Sequence, residues 1–275
     1  MIYDSFKICV EAYADKLALN NLTYKELFNL VKNGNTENII YKILRGEDIQ
    51  LTSSGSTGQK KIINLPSSMI YGNAQNAILS QKITSDDIIL TVCTLKHTGG
   101  INAQTIAGLL KGAHVIIEPF NGLSFFRLLQ ENKITITHLT PRMIDIIMKV
   151  KQPKLLPYLK LVVCGSDVIK KEHAEYWLNY NKKFMINYGL TEAGPIIINH
   201  TFTDKKELSV FDKGIPLGSF CYSEYKIKDN ELFLRGQNVY INDWFATGDM
   251  IEQKDFWFFY KGRKGLGLVP KSHSV

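Results

Sequence analysis

The stretch Leu51-Thr52-Ser53-Ser54-Gly55-Ser56-Thr57-Gly58-Gln59-Lys60-Lys61 decides how the rest of the chain is read. Its hydroxyls, two glycines and paired lysines make a poor helix and a poor strand but a good loop for holding phosphate. Gly55 and Gly58 let backbone N–H groups approach an oxyanion and permit positive φ, while Ser53, Ser54, Ser56 and Thr57 add short donors. Lys60 and Lys61 put positive charge beside them. A flexible Ser/Gly linker has a similar composition, so the stretch alone leaves both readings open. A Walker loop does not fit, because the spacing from Gly55 puts Lys60 where the second glycine of Gly-x-x-x-x-Gly-Lys-Ser/Thr belongs.

The frame around this loop is ordinary. With 275 residues, 45% hydrophobic and 21% charged, the chain has room for one large domain or two smaller ones. There is no apolar run of the roughly 18 residues that a membrane-spanning helix needs. Met1-Ile2-Tyr3-Asp4 has neither the basic nor the apolar region of a secretory signal, so a cytoplasmic location is expected. Cys9, Cys93, Cys164 and Cys221 are scattered and read as reduced thiols, neither a disulfide framework nor a zinc site. A formal net charge of +7 favours acidic partners such as nucleotides, coenzyme A or an acidic carrier protein, although a lysine-rich background gives the same number. The lysines do not cluster with aromatics, which argues against nucleic acid.

Upstream of the loop the chain reads as a helical entry segment. Phe6, Cys9, Val10 and Tyr13 have helical spacing within Asp4 to Ala14. Thr23 and Glu26 form a capping box for a helix running to Lys32. From residue 86 short apolar runs alternate with amphipathic ones. Strands are expected at 88–93, 114–117, 134–138, 161–164 and 184–187, with helices at 101–110, 124–131, 141–150 and 168–180 between them. This alternation predicts an α/β fold, a largely parallel sheet with helices packed on it. Ligands bind such sheets at the carboxyl ends of the strands, which directs attention to two loops, Gly165-Ser166-Asp167 and Tyr188-Gly189-Leu190-Thr191-Glu192-Ala193-Gly194-Pro195. Beyond about residue 205 the chain turns to β, with Asp229-Asn230 as a two-residue hairpin turn between 225–228 and 231–235. A second hairpin is expected between 245–252 and 256–261, giving a small antiparallel unit. The expected division is 1–204 for the α/β region and 205–275 for the β-rich one.

Taken in order, these segments resemble the adenylate-forming superfamily of acyl-CoA synthetases, peptide-synthetase adenylation domains and luciferases. The residues that carry the likeness are the loop at 51–61, Tyr188-Gly189-Leu190-Thr191-Glu192, Thr247-Gly248-Asp249 and Gly262-Arg263. Leu22-Thr23-Tyr24-Lys25-Glu26-Leu27 matches a family opening, although far less chain than usual separates it from the phosphate loop. Lys60 stands where the family has proline. The resemblance implies the large N-terminal domain of such an enzyme, nearest to o-succinylbenzoate–CoA ligase and similar acyl-CoA ligases. It implies ATP and Mg²⁺ as ligands, a small carboxylic acid as substrate, and CoA or an acyl-carrier protein as acceptor.

Residue by residue, the resemblance assigns phosphate binding to Ser53, Ser54, Gly55, Ser56, Thr57, Gly58 and Lys61. It assigns the adenine pocket to Gly165, Ser166, Asp167, Tyr188 and Gly189, with Tyr188 stacking on the base, and the ribose to Asp249 and Arg263. Lys61, Thr191 and Glu192 would be catalytic, with Glu192 also holding the metal. His97, Gly99 and Gly100 would line the acyl pocket. The family continues past Gly-Arg into a mobile C-terminal domain that donates a bridging lysine. Residues 264–275 show no such domain, and Lys264 stands where an acidic hinge residue is common. The expectation is therefore an acid-activating enzyme that needs that domain in trans. A nucleotide- or acyl-binding member without turnover is the alternative.

Overall fold

The computed structural model describes residues 1–33, 37–54, 60–241 and 243–265. The N-terminal unit is α1 (Ile2–Tyr13), β1 (Leu17–Leu19), β2 (Leu22–Thr23), α2 (Tyr24–Lys32) and α3 (Ile39–Leu44). The capping box forms as the sequence predicts: the Glu26 N–H donates to Thr23 Oγ1 at 3.2 Å, and the Thr23 N–H to Glu26 Oε2 at 2.8 Å. There follow β3 (Ile49–Ser54), β4 (Lys60–Leu65) and α4 (Ser67–Gln81). β3 and β4 pair antiparallel from Ile49↔Leu65 to Ser54↔Lys60. The ends of the phosphate stretch are thus strands of a hairpin, contrary to the expectation of a poor strand. Cross-strand pairing supplies what local propensity lacks.

The alternating region gives β5 (Ile88–Thr91), a π-helical segment Gly99–Ile106 running into α5 (Ala107–Leu109), β6 (His114–Ile117), α6 (Phe125–Glu131) and β7 (Ile136–Leu139). It continues with α7 (Pro141–Ile147), β8 (Leu161–Cys164), α8 (Lys171–Asn179) and β9 (Lys183–Leu190). The expected helix at 101–110 is mostly the wider π form, in which Ala107 N donates to Asn102 O. Next come β10 (Gly194–Phe202), a 3₁₀ segment Lys205–Lys213, β11 (Ile215–Gly218) and β12 (Phe220–Cys221). The last strands are β13 (Glu224–Lys228), β14 (Glu231–Arg235), β15 (Phe245–Lys254) and β16 (Trp257–Arg263).

The large sheet has nine strands in the order β12-β10-β9-β8-β7-β5-β6-β1-β2. Its central pairs are parallel, while β1–β2, β9–β10 and β10–β12 are antiparallel. Both faces are covered, because alternate residues of one strand enter different cores. Ile89, Leu161 and Val163 pack with α1, α2 and α4, whereas Leu90, Val162 and Cys164 pack with α6, α7 and α8 around Trp177. A third core, including Ile198, Leu232, Leu234 and Phe258, joins β10 to a five-stranded antiparallel sheet ordered β11-β16-β15-β14-β13. Asp229 (φ 52°) and Asn230 (φ 61°) make the two-residue turn between β13 and β14.

One carboxylate ties the amino ends of the parallel strands together. Asp87, 3% exposed, accepts from Thr84 N (2.8 Å), Thr84 Oγ1 (3.0 Å), Thr135 Oγ1 (2.8 Å) and Lys160 Nζ (3.0 Å). Burial pushes its pKa up, but these donors outweigh burial and hold it below the usual aspartate value of 3.8. A depressed folded-state pKa adds stability above the unfolded value and loses it as pH falls through the folded one. Asp87→Asn is therefore expected to lower stability near pH 7 by about 1–3 kcal/mol and to flatten the acid limb below about pH 4. Urea titrations at a series of pH values check this; parallel acid limbs would show that Asp87 does not supply it.

Candidate active site

The carboxyl ends of β8 and β9 meet at close backbone approach. Gly165 follows β8, and a Cβ there would lie 2.8 Å from Asn187 O. A Cβ on Gly189 would lie 2.2 Å from Pro195 O. Both positions need glycine for contact alone. Ser166 carries φ +76°, an uncommon conformation for a side-chain-bearing residue and one found at ligand sites. Asp167 Oδ1 accepts its neighbour's N–H, from Val168 at 2.7 Å, which fixes the loop above the strands.

A cavity of about 50 Å³ opens there, with Ser166, Asp167, Val168, Asn187, Tyr188 and Gly189 on the large-sheet side. Ile215, Leu217 and Tyr260 of the small sheet form the opposite wall. Four of the five expected adenine residues thus line one slot, and Gly165 underlies it. Tyr260 and Asn187 are 6% and 8% exposed, and Tyr260 OH and Asn187 Oδ1 have no hydrogen-bond partner among the described residues. A slot with aliphatic walls and orphaned polar atoms suits a flat heterocycle carrying hydrogen-bonding edges.

A larger cavity of about 450 Å³ shares Asp167, Val168, Ile215 and Tyr260 and runs on past Arg142, Asp145, Lys170 and His173. Asp145, Glu172 and His173 bring possible metal ligands together, and among the described residues no other such group of three occurs. The imidazole argues against a metal. His173 Nδ1 accepts the Lys170 N–H at 3.2 Å, so the proton sits on Nε2, which meets Asp145 Oδ1 at 2.9 Å.

The expected ribose residues sit on neighbouring strands of the small sheet, and Tyr188 reaches them from the large one. β15 and β16 pair with Asp249 opposite Arg263. Arg263 Nη1 donates to Asp249 Oδ1 at 2.9 Å, and Tyr188 OH donates to Asp249 Oδ2 at 2.7 Å. Asp249 is fully buried. Beneath it, Gly248 N donates to Glu231 Oε1 at 3.1 Å, and Lys264 Nζ to Glu231 Oε2 at 2.6 Å. Burial first, then the Asp249 charge, push the Tyr188 pKa well above the usual tyrosine value, so the phenol stays a donor. Burial and Asp249 also raise that of Tyr260.

Tyr188 to Leu190 belong to β9, so the expected strand-end loop is a tight hairpin turn at 191–193. Thr191 and Glu192 are half-buried at its tip. The 236–240 segment holds this turn: Tyr240 N donates to Glu192 O at 2.9 Å, and Asn238 Nδ2 to Ala193 O at 3.0 Å. His97 is exposed ahead of the π-helical segment that Gly99 and Gly100 begin. A Cβ on Gly100 would lie 2.5 Å from Thr94 O. These three residues line neither cavity, and neither does the exposed Lys61. Ser53 and Lys61 face each other in the hairpin register. Gly55, Ser56, Thr57 and Gly58 lie outside the described residues.

The AMP-binding enzyme family profile matches residues 49–239, which spans the phosphate stretch, both strand-end loops and the 236–239 brace. The chain belongs to the AMP-binding enzyme family. Indoleacetate–CoA ligase of Aromatoleum aromaticum is 28% identical over 250 residues, covering 81% of this chain and 49% of that protein. The chain thus spans about half the length of its curated relatives. O-succinylbenzoate coenzyme A synthetase of Bacillus subtilis, solved in complex with AMP, superposes with TM-score 0.79 at 15% identity, covering 95% of this chain and 98% of that one. A structure of that synthetase with ATP and magnesium ion gives TM-score 0.67 at 19% identity, over 78% and 50% of the two chains. The fold is that of the N-terminal domain of adenylate-forming enzymes. No described helix is long and apolar enough to cross a membrane.

Sequence reasoning missed Asn187 and Tyr260. Asn187 did leave a signal, a polar residue closing the apolar run Phe184-Met185-Ile186 in a strand buried on both faces. Tyr260 left none, because Phe258-Phe259-Tyr260 reads as core.

Proposed function

We propose that the chain binds Mg·ATP in the slot between its two sheets and activates a small carboxylic acid as an acyl-adenylate, for transfer to a thiol of CoA or a carrier protein. One observation carries the reading: Tyr188, Asp249 and Arg263 form a single bonded unit beside the cavity lined by Ser166, Asp167 and Gly189. The base lies between Val168 and the Ile215–Leu217 strand, and the ribose hydroxyls meet Asp249. The 53–61 stretch, with Lys61, holds the β- and γ-phosphates. Glu192 offers carboxylate oxygens to Mg²⁺, a hard cation that neutralises phosphate charge when bound. The acid's carboxylate oxygen then attacks the α-phosphorus and pyrophosphate leaves. Positioning and charge neutralisation carry most of such a reaction.

Regions 1–204 and 205–275 each contribute residues to this slot, and the half of the relatives that the match leaves uncovered is where the bridging cation belongs. Calorimetry with Mg·ATP is expected to give saturable binding to residues 1–275. Absence of heat and of any thermal shift at millimolar nucleotide overturns the reading. Saturable binding with no adenylate formed from any carboxylic acid, under any pairing, points to a nucleotide-binding member without turnover.

A further inference from the structure

The residue expected to stack on the base is also built into the fold. Tyr188 is 6% exposed, and its ring belongs to the core with Ala193, Ile197, Leu232 and Leu234. Tyr188 also lines the slot. Its hydroxyl, in contrast, reaches across from the large sheet to Asp249 of the small one at 2.7 Å.

We propose that Tyr188 is a positioning residue that acts through its hydroxyl, setting the Asp249 carboxylate so that the site selects nucleotides with intact ribose hydroxyls. The inference rests on the nucleotide reading above. A carboxylate held at one oxygen swings about its Cβ–Cγ bond, whereas one held at both has a defined plane. Here Oδ2 is held from β9 and Oδ1 from β16, on different sheets. The two holds differ in rigidity: the Arg263 side chain is 27% exposed and adjustable, whereas Tyr188 is fixed in the core. The phenol therefore sets the orientation, and the guanidinium is the partner that moves when a ribose arrives. Behind the carboxylate, Asp249 N donates to Thr247 Oγ1 at 3.1 Å, and Thr247 Oγ1 to Leu232 O at 2.8 Å, so the backbone is also held.

Tyr188→Phe keeps the ring and removes only the hydroxyl. Dissociation constants for Mg·ATP, Mg·2′-deoxy-ATP and Mg·3′-deoxy-ATP form the readout. The wild-type protein is expected to prefer ATP over both analogues, and Tyr188→Phe to reduce that preference about tenfold, the scale of one hydrogen bond to a charged group. Affinity for the deoxy analogues should fall by less than that for ATP, because each keeps only one of the two hydroxyls the carboxylate was set for. Equal weakening of all three nucleotides, or no change, makes the hydroxyl a structural link between sheets and overturns the proposal. Asp249→Glu is the second variant, keeping charge and Tyr188 but displacing the carboxylate. It too should lose the ribose preference, and retention of it overturns positioning even if Tyr188→Phe does not fold. Failure of the wild-type protein to bind ATP would instead sink the nucleotide reading itself.

Discussion

Asp249→Ala is expected to raise the dissociation constant for Mg·ATP about 30- to 1000-fold, on the order of 2–4 kcal/mol, by removing charge-assisted hydrogen bonds to the ribose. The structure adds a second consequence. The carboxylate is fully buried, and its loss leaves the Tyr188 hydroxyl and the Arg263 guanidinium without the partner both now share. Breaking a buried pair by removing one member destabilises more than the pair itself contributes. The Arg263 side chain is 27% exposed, so water relieves part of that cost. The variant should therefore unfold at lower urea than the wild-type protein yet remain folded without denaturant. Calorimetry on the folded variant, beside the exposed-site control Asp86→Ala, separates the effects. A folded variant with an unchanged dissociation constant would show that Thr247-Gly248-Asp249 is only a turn.

The sequence carried the central strands of the sheet well and the walls of the site poorly, for a physical reason. Central strands such as Leu161–Cys164 are buried on both faces, so their continuous apolar runs announce them. The Thr23–Glu26 box and the Asp229-Asn230 turn are local chemistry and needed no tertiary context. Long-range pairing was invisible. Lys60 to Leu65 became a strand because Ile49 to Ser54 lay beside it. The 191–193 segment became a hairpin because β10 returns antiparallel on β9. Tyr188, Asp249 and Arg263 each matched a motif, but nothing in the sequence showed that one carboxylate joins the other two. Tyr260 enters the slot only because the small sheet packs over the ends of β8 and β9, a fact of docking between sheets.

Carboxylate-dependent exchange of labelled pyrophosphate into ATP by residues 1–275 is expected to run about 10²–10³ slower alone than with the C-terminal half of a longer relative added in trans. The magnitude is that of losing one preorganised donor opposite developing charge. Its basis is a division of labour. The expected base and ribose groups lie within this chain, bonded across two sheets. The match to indoleacetate–CoA ligase, in contrast, covers only 49% of that protein. The resemblance places the lysine that bridges carboxylate and α-phosphate in the other half. That cation opposes charge that grows only as the acid's oxygen approaches phosphorus, so its supply should change the rate and leave ATP affinity nearly unaltered. The measurement pairs exchange with equilibrium binding across aryl and aliphatic acids, indoleacetate among them. Equal exchange with and without the added half would place all catalytic groups in residues 1–275. A rise in exchange matched by an equal rise in ATP affinity would assign the added half to binding instead of the transition state. A rise in exchange at constant affinity is the expected outcome, because the groups proposed to hold the nucleotide are already bonded to one another before the acid arrives.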